Sequence, residues 1–363
     1  MRSSRVNYRF TIDDATIWAR PWTAAVPLTR TDGPMYEYAC HEGNARSVEG
    51  MPGRRTRAGY QSTMNIDRYR VRPGDRTVLT RHRPGDTSTL RDKDAAQERL
   101  LRSITHLEER LELLNAQNER ALLLIFQGMD ASGKDGAIKH VMSGVNPLYT
   151  EVHMFKQPSS EEMDHNFLWR AVKALPARGN IGIFDRSYYE DVVVVRVHPE
   201  ILAAQQLPRD LIGRNIWKER FEDIRNLERH LIRNGTVIRK FFFHVSKQEQ
   251  RSRLLERFDT PDKNWKFSAR DVRERQNWAK YTAAYRDVLA ATSTRESPWY
   301  VIPADHKWFA RLLVAEVING TLDQMELKAP VLSPAEKRHL LNVRRLLGSS
   351  PARRPKTAVK RPG

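Results

Sequence analysis

The chain has 363 residues, 40% hydrophobic and 29% charged, a globular rather than a disordered composition. Lys and Arg number 62 against 44 Asp and Glu, a net charge of +18, which points to a polyanionic partner: nucleic acid, an anionic membrane or a phosphate-rich ligand. The single cysteine, Cys40, excludes an intrachain disulfide and a cysteine-built metal cage, and no apolar run approaches the ~18 residues of a membrane span.

The N-terminal stretch is basic but lacks the apolar core of a secretion signal, so the expected compartment is cytoplasmic. Residues 1–63 are rich in turn formers, carry nine arginines against six acids, and end in a linker-like MPGRRTRAG. They are predicted to be a poorly ordered extension, and Cys40 and His41 are assigned no chemistry. From Met64 the texture changes, with a short stretch at Thr77–Arg81 that alternates in polarity. Residues 93–120 form a polar helix whose Leu100, Leu101, Ile104, Leu107, Leu111 and Leu114 recur at spacings of three and four, one buried face.

From residue 121 strands and helices alternate. Strands are predicted at 121–126, 151–156, 180–185, 236–246 and 298–304. Helices are predicted at 134–144, 159–175, 209–234, 247–258 and 306–325. ALLLIF (121–126) is a continuous apolar run, as a strand buried on both faces requires. This order predicts an α/β domain over 64–330, with a parallel five-stranded sheet flanked by helices. Residues 331–363 carry nine basic residues against Glu336, and from Gly348 the segment is polar and broken by prolines. It reads as a basic, largely disordered tail, either a solvated segment or a polyanion-capturing one.

The chemistry-bearing motif is QGMDASGKDG, 127–136. The spacing Gly128-x4-Gly133-Lys134, after an apolar strand and opening a helix, is that of a Walker A loop. Its glycines let backbone N–H groups of Gly128, Ser132, Gly133, Asp135 and Gly136 turn toward phosphates, the helix N-terminus adds positive potential, and Lys134 bridges two phosphate groups. The bland alternative is an ordinary glycine-rich turn. The usual Ser or Thr after the lysine is replaced by Asp135, so Asp130 is either the metal ligand or a cap within the loop. The strand 180–185 ends in Asp185, where a Walker B carboxylate sits, and Arg186 follows it with a fixed charge and a planar fork suited to a transferring phosphoryl group. Glu190 and Asp191 are read as nucleotide or metal contacts, or as a solvated helix face; Arg196 is read as a phosphate ligand. Within residues 251–280, eight Lys and Arg between Arg251 and Arg275 cluster around an Asp-Pro turn. They read as a basic lid, with Lys263 and Lys266 on phosphate, or as a charged helix pair anchored by Trp265, Phe267 and Trp278.

QGMDASGKDGAIKHVMSGVNP, KQPSSEEMDHNFLWR, IFDRSYYEDVVVVRVHPE, WKFSARD and TSTRESPWYVIPADHKWFARLLV together resemble the polyphosphate kinase 2 family, from about Met64 to residue 325. The resemblance implies a P-loop kinase fold like that of thymidylate kinase, with a helical lid. It implies Mg²⁺-dependent phosphoryl transfer between inorganic polyphosphate and adenine or guanine nucleotides, no nucleic acid or membrane, and a homodimer or homotetramer. Asp130, Lys134, Asp185 and Arg186 match the family's catalytic positions. SYYED resembles the branch acting on AMP and ADP. Many relatives carry asparagine at the position of Asp185, so Asp185 and Asp191 both stand as the second metal carboxylate beside Asp130. Residues 1–63 lie outside the resemblance, which suggests a fusion or an upstream start. Two rivals remain: an ATP-dependent nucleoside monophosphate kinase and a non-catalytic polyanion-binding protein.

Overall fold

The alternation of apolar strands and amphipathic helices is what the chain folds into. The computed structural model describes the backbone of two N-terminal strands, residues 64–260 and residues 269–348. The chain divides into two units, Met1–Gly59 and Tyr60–Gly363. In the first, β1 (Arg5–Ile12) and β2 (Trp22–Thr29) pair antiparallel over their full length, where the sequence predicted poor order.

The second unit runs α1 (Val78–Arg81), α2 (Lys93–Gln117), β3 (Ala121–Gly128), α3 (Lys134–Val141), β4 (Thr150–Met154), α4 (Ser160–Met163) and α5 (Trp169–Lys173). It continues through β5 (Ile181–Asp185), α6 (Glu190–Val197), α7 (Pro199–Ala204), α8 (Ile216–Arg233), β6 (Thr236–His244), α9 (Lys247–Asp259) and α10 (Ala269–Glu274). It closes with α11 (Trp278–Thr292), β7 (Trp299–Pro303), α12 (Lys307–Gln324) and α13 (Pro334–Gly348). The sheet order is β4-β5-β3-β6-β7, and every pair is parallel. The most apolar strand is therefore central. Its alternate residues feed two cores: Leu122, Leu124 and Phe126 pack with α2, α3 and α12, while Leu123 and Ile125 pack with α6, α8 and α11. Both faces are covered, as a parallel sheet needs. No helix among the described residues is long and apolar enough to cross a membrane.

Three stretches differ from expectation. Thr77–Arg81 is not extended, because Asp75 accepts bonds from the Thr77 N–H and hydroxyl and starts a turn that α1 continues. The single helix predicted over 159–175 is two short ones. Ser159 and Glu162 form the capping box of α4, and then the Asn166 side chain accepts from the Leu168 N–H and breaks the run before α5. Helix α13 falls within the stretch predicted as a disordered tail, where HLLNVRRLLG keeps helical propensity despite its charge.

Candidate active site

The C-terminal ends of β3 and β5 lie side by side, with Phe126 in register with Asp185. That edge is where ligands bind in an open parallel sheet. After β3 the chain makes a tight loop. Gly128 is required there, since a Cβ would stand 2.8 Å from Ser132 Oγ and 3.0 Å from Phe243 Cβ. Ala131 and Gly133 take left-handed conformations, φ +58° and +98°, and Lys134 opens α3. Arg186, just after β5, also has positive φ (+66°), and its N–H donates to the Phe126 carbonyl. Two non-glycine residues held in this region on adjacent loops mark stored strain at a functional site.

The charged groups interlock. Lys134 Nζ is buried and lies 3.5 Å from both Asp185 Oδ1 and Asp135 Oδ1. Arg186 Nη2 donates to Asp130 Oδ1 at 3.0 Å, and its Nη1 lies 3.9 Å from Glu190 Oε2. Burial raises the Asp185 carboxyl above its ordinary range, against the pull of Lys134. Burial would raise Asp135 too, but Lys134 and a backbone hydrogen bond outweigh it and hold that carboxyl low. Burial alone would lower Arg186, but Glu190 and Asp130 override it and fix the cation more firmly. Burial also raises Glu190, with Arg186 opposing. Ser132 Oγ and Asp185 Oδ1 are buried and make no hydrogen bond.

In front of the loop is a cavity of about 610 Å³. Gly128, Asp130, Arg186 and Glu190 line it; Ser132, Lys134 and Asp185 do not. Phe155, Arg170, Asp191, Gln205, Gln250, Arg275 and Tyr281 line it as well. Arg170 donates to the Lys156 carbonyl at 2.8 Å and stacks over Phe155. Asp191 turns to Gln205, whose Nε2 donates to Oδ1 at 2.7 Å. Arg220 braces both, with bonds to the Asp191 carbonyl and to Gln205 Oε1. Burial raises the Asp191 carboxyl, with Arg170 and Arg220 opposing.

The expected residues therefore separate. Asp130, Lys134, Asp135, Asp185, Arg186 and Glu190 come together around the loop glycines Gly128, Gly133 and Gly136. Asp191 belongs to a second cluster, with Gln205 and Arg220. Among the described residues no group of three or more His, Cys, Asp or Glu has metal-holding geometry. Arg196 does not reach the cavity: its Nη2 pairs with Asp287 at 2.9 Å, an acid it shares with Arg76. It follows Asp191 by five residues and Glu190 by six, which at 3.6 residues per turn sets it roughly 120–140° round α6 from them. Lys263, Lys266, Trp265 and Phe267 lie outside the described residues. Of the predicted lid cations, Arg275 lines the cavity, Arg257 pairs with Asp271 at 3.6 Å, and Arg253 is buried against the loop. Gln205, Arg220 and Gln250, and the place of Arg253, were not legible in the sequence, since each is defined by partners far along the chain.

Behind the site, Glu228 on α8 and Lys240 on β6 form an ion pair at 2.6 Å, both almost wholly buried. Glu228 also accepts from Tyr188 (3.0 Å), Tyr189 (2.7 Å) and Ser297 (2.7 Å), and Lys240 also donates to the Thr292 carbonyl. The two tyrosines of SYYED thus anchor the turn that carries Arg186 and Glu190.

A parallel sheet covered on both faces, with a glycine loop, a buried lysine and a strand-end aspartate meeting at its C-terminal edge, defines a P-loop kinase fold. The chain belongs to the polyphosphate kinase 2 family: the family model described as Polyphosphate kinase 2 matches residues 90–330. An ADP-polyphosphate phosphotransferase of Rhodopseudomonas palustris is 47% identical over 280 residues, covering 77% of this chain and 97% of that protein. An AMP/ADP-polyphosphate phosphotransferase of Meiothermus ruber is 41% identical over 266 residues, covering 73% and 96%. The crystal structure of Polyphosphate Kinase 2 from Arthrobacter aurescens superposes with a TM-score of 0.69 at 35% identity, covering 76% of this chain and 95% of that one.

Proposed function

We propose that this chain transfers the terminal phosphoryl group of inorganic polyphosphate to a nucleoside mono- or diphosphate, AMP to ADP and ADP to ATP. The observation that carries the reading is the pairing of Arg186 with Asp130 on a cavity large enough for a nucleotide, beside a buried Lys134–Asp185 pair at the same loop. The names of the relatives supply the donor. Lys134 and Arg186 stabilise the charge spread over the equatorial oxygens of a loose, metaphosphate-like transition state. No covalent intermediate is needed. One phosphoanhydride replaces another, so the reaction runs in either direction as substrate ratios dictate.

The residues present fit a divalent cation of the magnesium class: Asp185 Oδ1 and Ser132 Oγ are buried without hydrogen-bond partners, and Asp130 adds a second carboxylate. Two carboxylates with phosphate oxygens and water suffice for Mg²⁺, which takes hard oxygen ligands. When bound, the ion neutralises phosphate charge and aligns the reacting groups. Asp185 is thus the better second carboxylate. We assign Asp191 to the acceptor side, because it lines the cavity with its carboxylate held by Gln205 rather than by a residue of the phosphate loop.

The test is an incubation with polyphosphate, Mg²⁺ and AMP, ADP, GMP or GDP, without ATP, followed by nucleotide chromatography. New ADP and ATP, or their guanine counterparts, are expected. Transfer only when ATP is supplied would make the protein an ordinary nucleoside monophosphate kinase instead.

A further inference from the structure

Arg253 stands among the basic residues of 251–280, but its surroundings are not those of a lid cation. Its side chain is 5% exposed, and its guanidinium faces four backbone carbonyls from two distant loops. Nη1 donates to the carbonyls of Ala131 (3.1 Å) and Ser132 (2.7 Å) in the phosphate loop. Nη2 donates to those of Ala304 and Asp305 (3.1 Å) in the turn between β7 and α12. Nε donates to Glu249 on the same helix, at 2.9 Å. One turn before it, Gln250 Nε2 donates to the Asp130 carbonyl at 2.8 Å. Helix α9 therefore grips three successive carbonyls of the loop.

The grip has two physical consequences. A trans peptide points its C=O and the next N–H to opposite sides. Pinning the carbonyls of Asp130 and Ser132 toward α9 turns the N–H groups of Ala131 and Gly133 away from it, the arrangement by which such loops hold phosphate. The grip also stabilises Ala131 at φ +58°, a conformation unfavourable for a non-glycine residue. A planar fork of five donors can serve carbonyls from two loops at once, whereas an ammonium concentrates its three donors at one point.

We infer that Arg253, seconded by Gln250, is a positioning residue that holds the phosphate loop in its transfer-competent shape. Arg253 does not line the cavity, so it acts through the loop. The inference rests on the phosphoryl transfer proposed above. In Arg253→Lys the charge stays and the fork is lost. The expected result is a kcat about a hundredfold lower, a KM for the acceptor nucleotide within threefold of wild type, and a melting temperature within a few degrees. Methylguanidinium added to Arg253→Ala should restore part of kcat. A purely structural role would lower the melting temperature and leave kcat per folded molecule unchanged, and a folded Arg253→Lys with wild-type kcat overturns the inference. If Arg253→Lys does not fold, Gln250→Met made in an Arg275→Ala background decides: Gln250 Oε1 also accepts from Arg275, and in that background only the bond to the Asp130 carbonyl is lost. A kcat tenfold below that of Arg275→Ala at unchanged KM supports the inference there, and a kcat equal to that of Arg275→Ala overturns it. If the wild-type protein uses ATP and not polyphosphate, the function proposed above fails, while the same comparisons run with ATP still decide the role of Arg253.

Discussion

At the scale of single residues, the site separates groups that hold charge from groups that hold shape. Asp130 is the residue whose chemistry is most exposed to test, since it links the loop to Arg186. Asp130→Asn keeps the side chain's size and one acceptor but removes the charge that fixes the Arg186 fork and that the proposed metal role requires. Loss of one such preorganised charge costs about 10²–10³ in rate. Asp130 is only partly buried, so the melting temperature should stay within a few degrees. A steady-state assay beside a thermal melt checks both, and full activity in Asp130→Asn would remove the metal role. The residue scale also shows how far a sequence can be read. Lys134 and Gly128 were legible because their meaning lies in a spacing of a few residues along the chain. Arg253 was not: in the sequence it is one basic residue in a charged run, and its partners lie 51 to 122 positions away. The partners of Asp191 were not legible for the same reason, since Gln205 and Arg220 come 14 and 29 residues later.

At the scale of elements, the question is what keeps the β5–α6 turn in place while Arg186 holds a positive φ. The answer is a buried polar network that ties α6, α8, β6 and β7 together through Glu228. Every polar atom that Glu228 and Lys240 present has a partner, so the network can be stable despite its burial. Burial lowers the Lys240 ammonium pKa, with Glu228 pulling the other way. The prediction concerns both partners. Lys240→Met leaves Glu228 as an uncompensated buried charge and should destabilise the fold by roughly 3–5 kcal/mol. Adding Glu228→Gln should recover most of that loss, because a neutral amide still meets the tyrosine hydroxyls. Urea unfolding of the two variants measures the difference, and equal stabilities for the single and double variants would show that the pair is not coupled. The alternation of elements was legible throughout, since apolar runs of this length must be covered on both faces. The places where it failed, Thr77–Arg81 and 159–175, are those where an Asp or Asn side chain captures a backbone N–H and overrides periodicity.

At the scale of the whole molecule, the +18 has two separable parts. The cations that define the site are paired: Lys134 with Asp185 and Asp135, and Arg186 with Asp130 and Glu190. The excess charge is instead concentrated at the C-terminal end, where residues 331–363 carry nine basic residues against one acid. Helix α13 contributes little to the core, since among its described side chains only Val343 is even half-buried. Deleting residues 334–363 should therefore leave the melting temperature and kcat nearly unchanged. What it should alter is the capture of a long polyanion. Attraction between exposed charges acts over a Debye length of about 10 Å at 0.1 M salt and about 3 Å at 1 M. At low salt the shortened chain should show a KM for long-chain polyphosphate several-fold higher than the full chain. The difference should shrink for tripolyphosphate, which is too short to reach beyond the loop, and should vanish for both donors near 1 M salt. A KM difference that persists at high salt would mean that α13 contributes a specific contact rather than a field. No KM difference at any salt would mean that the basic end serves something other than this substrate.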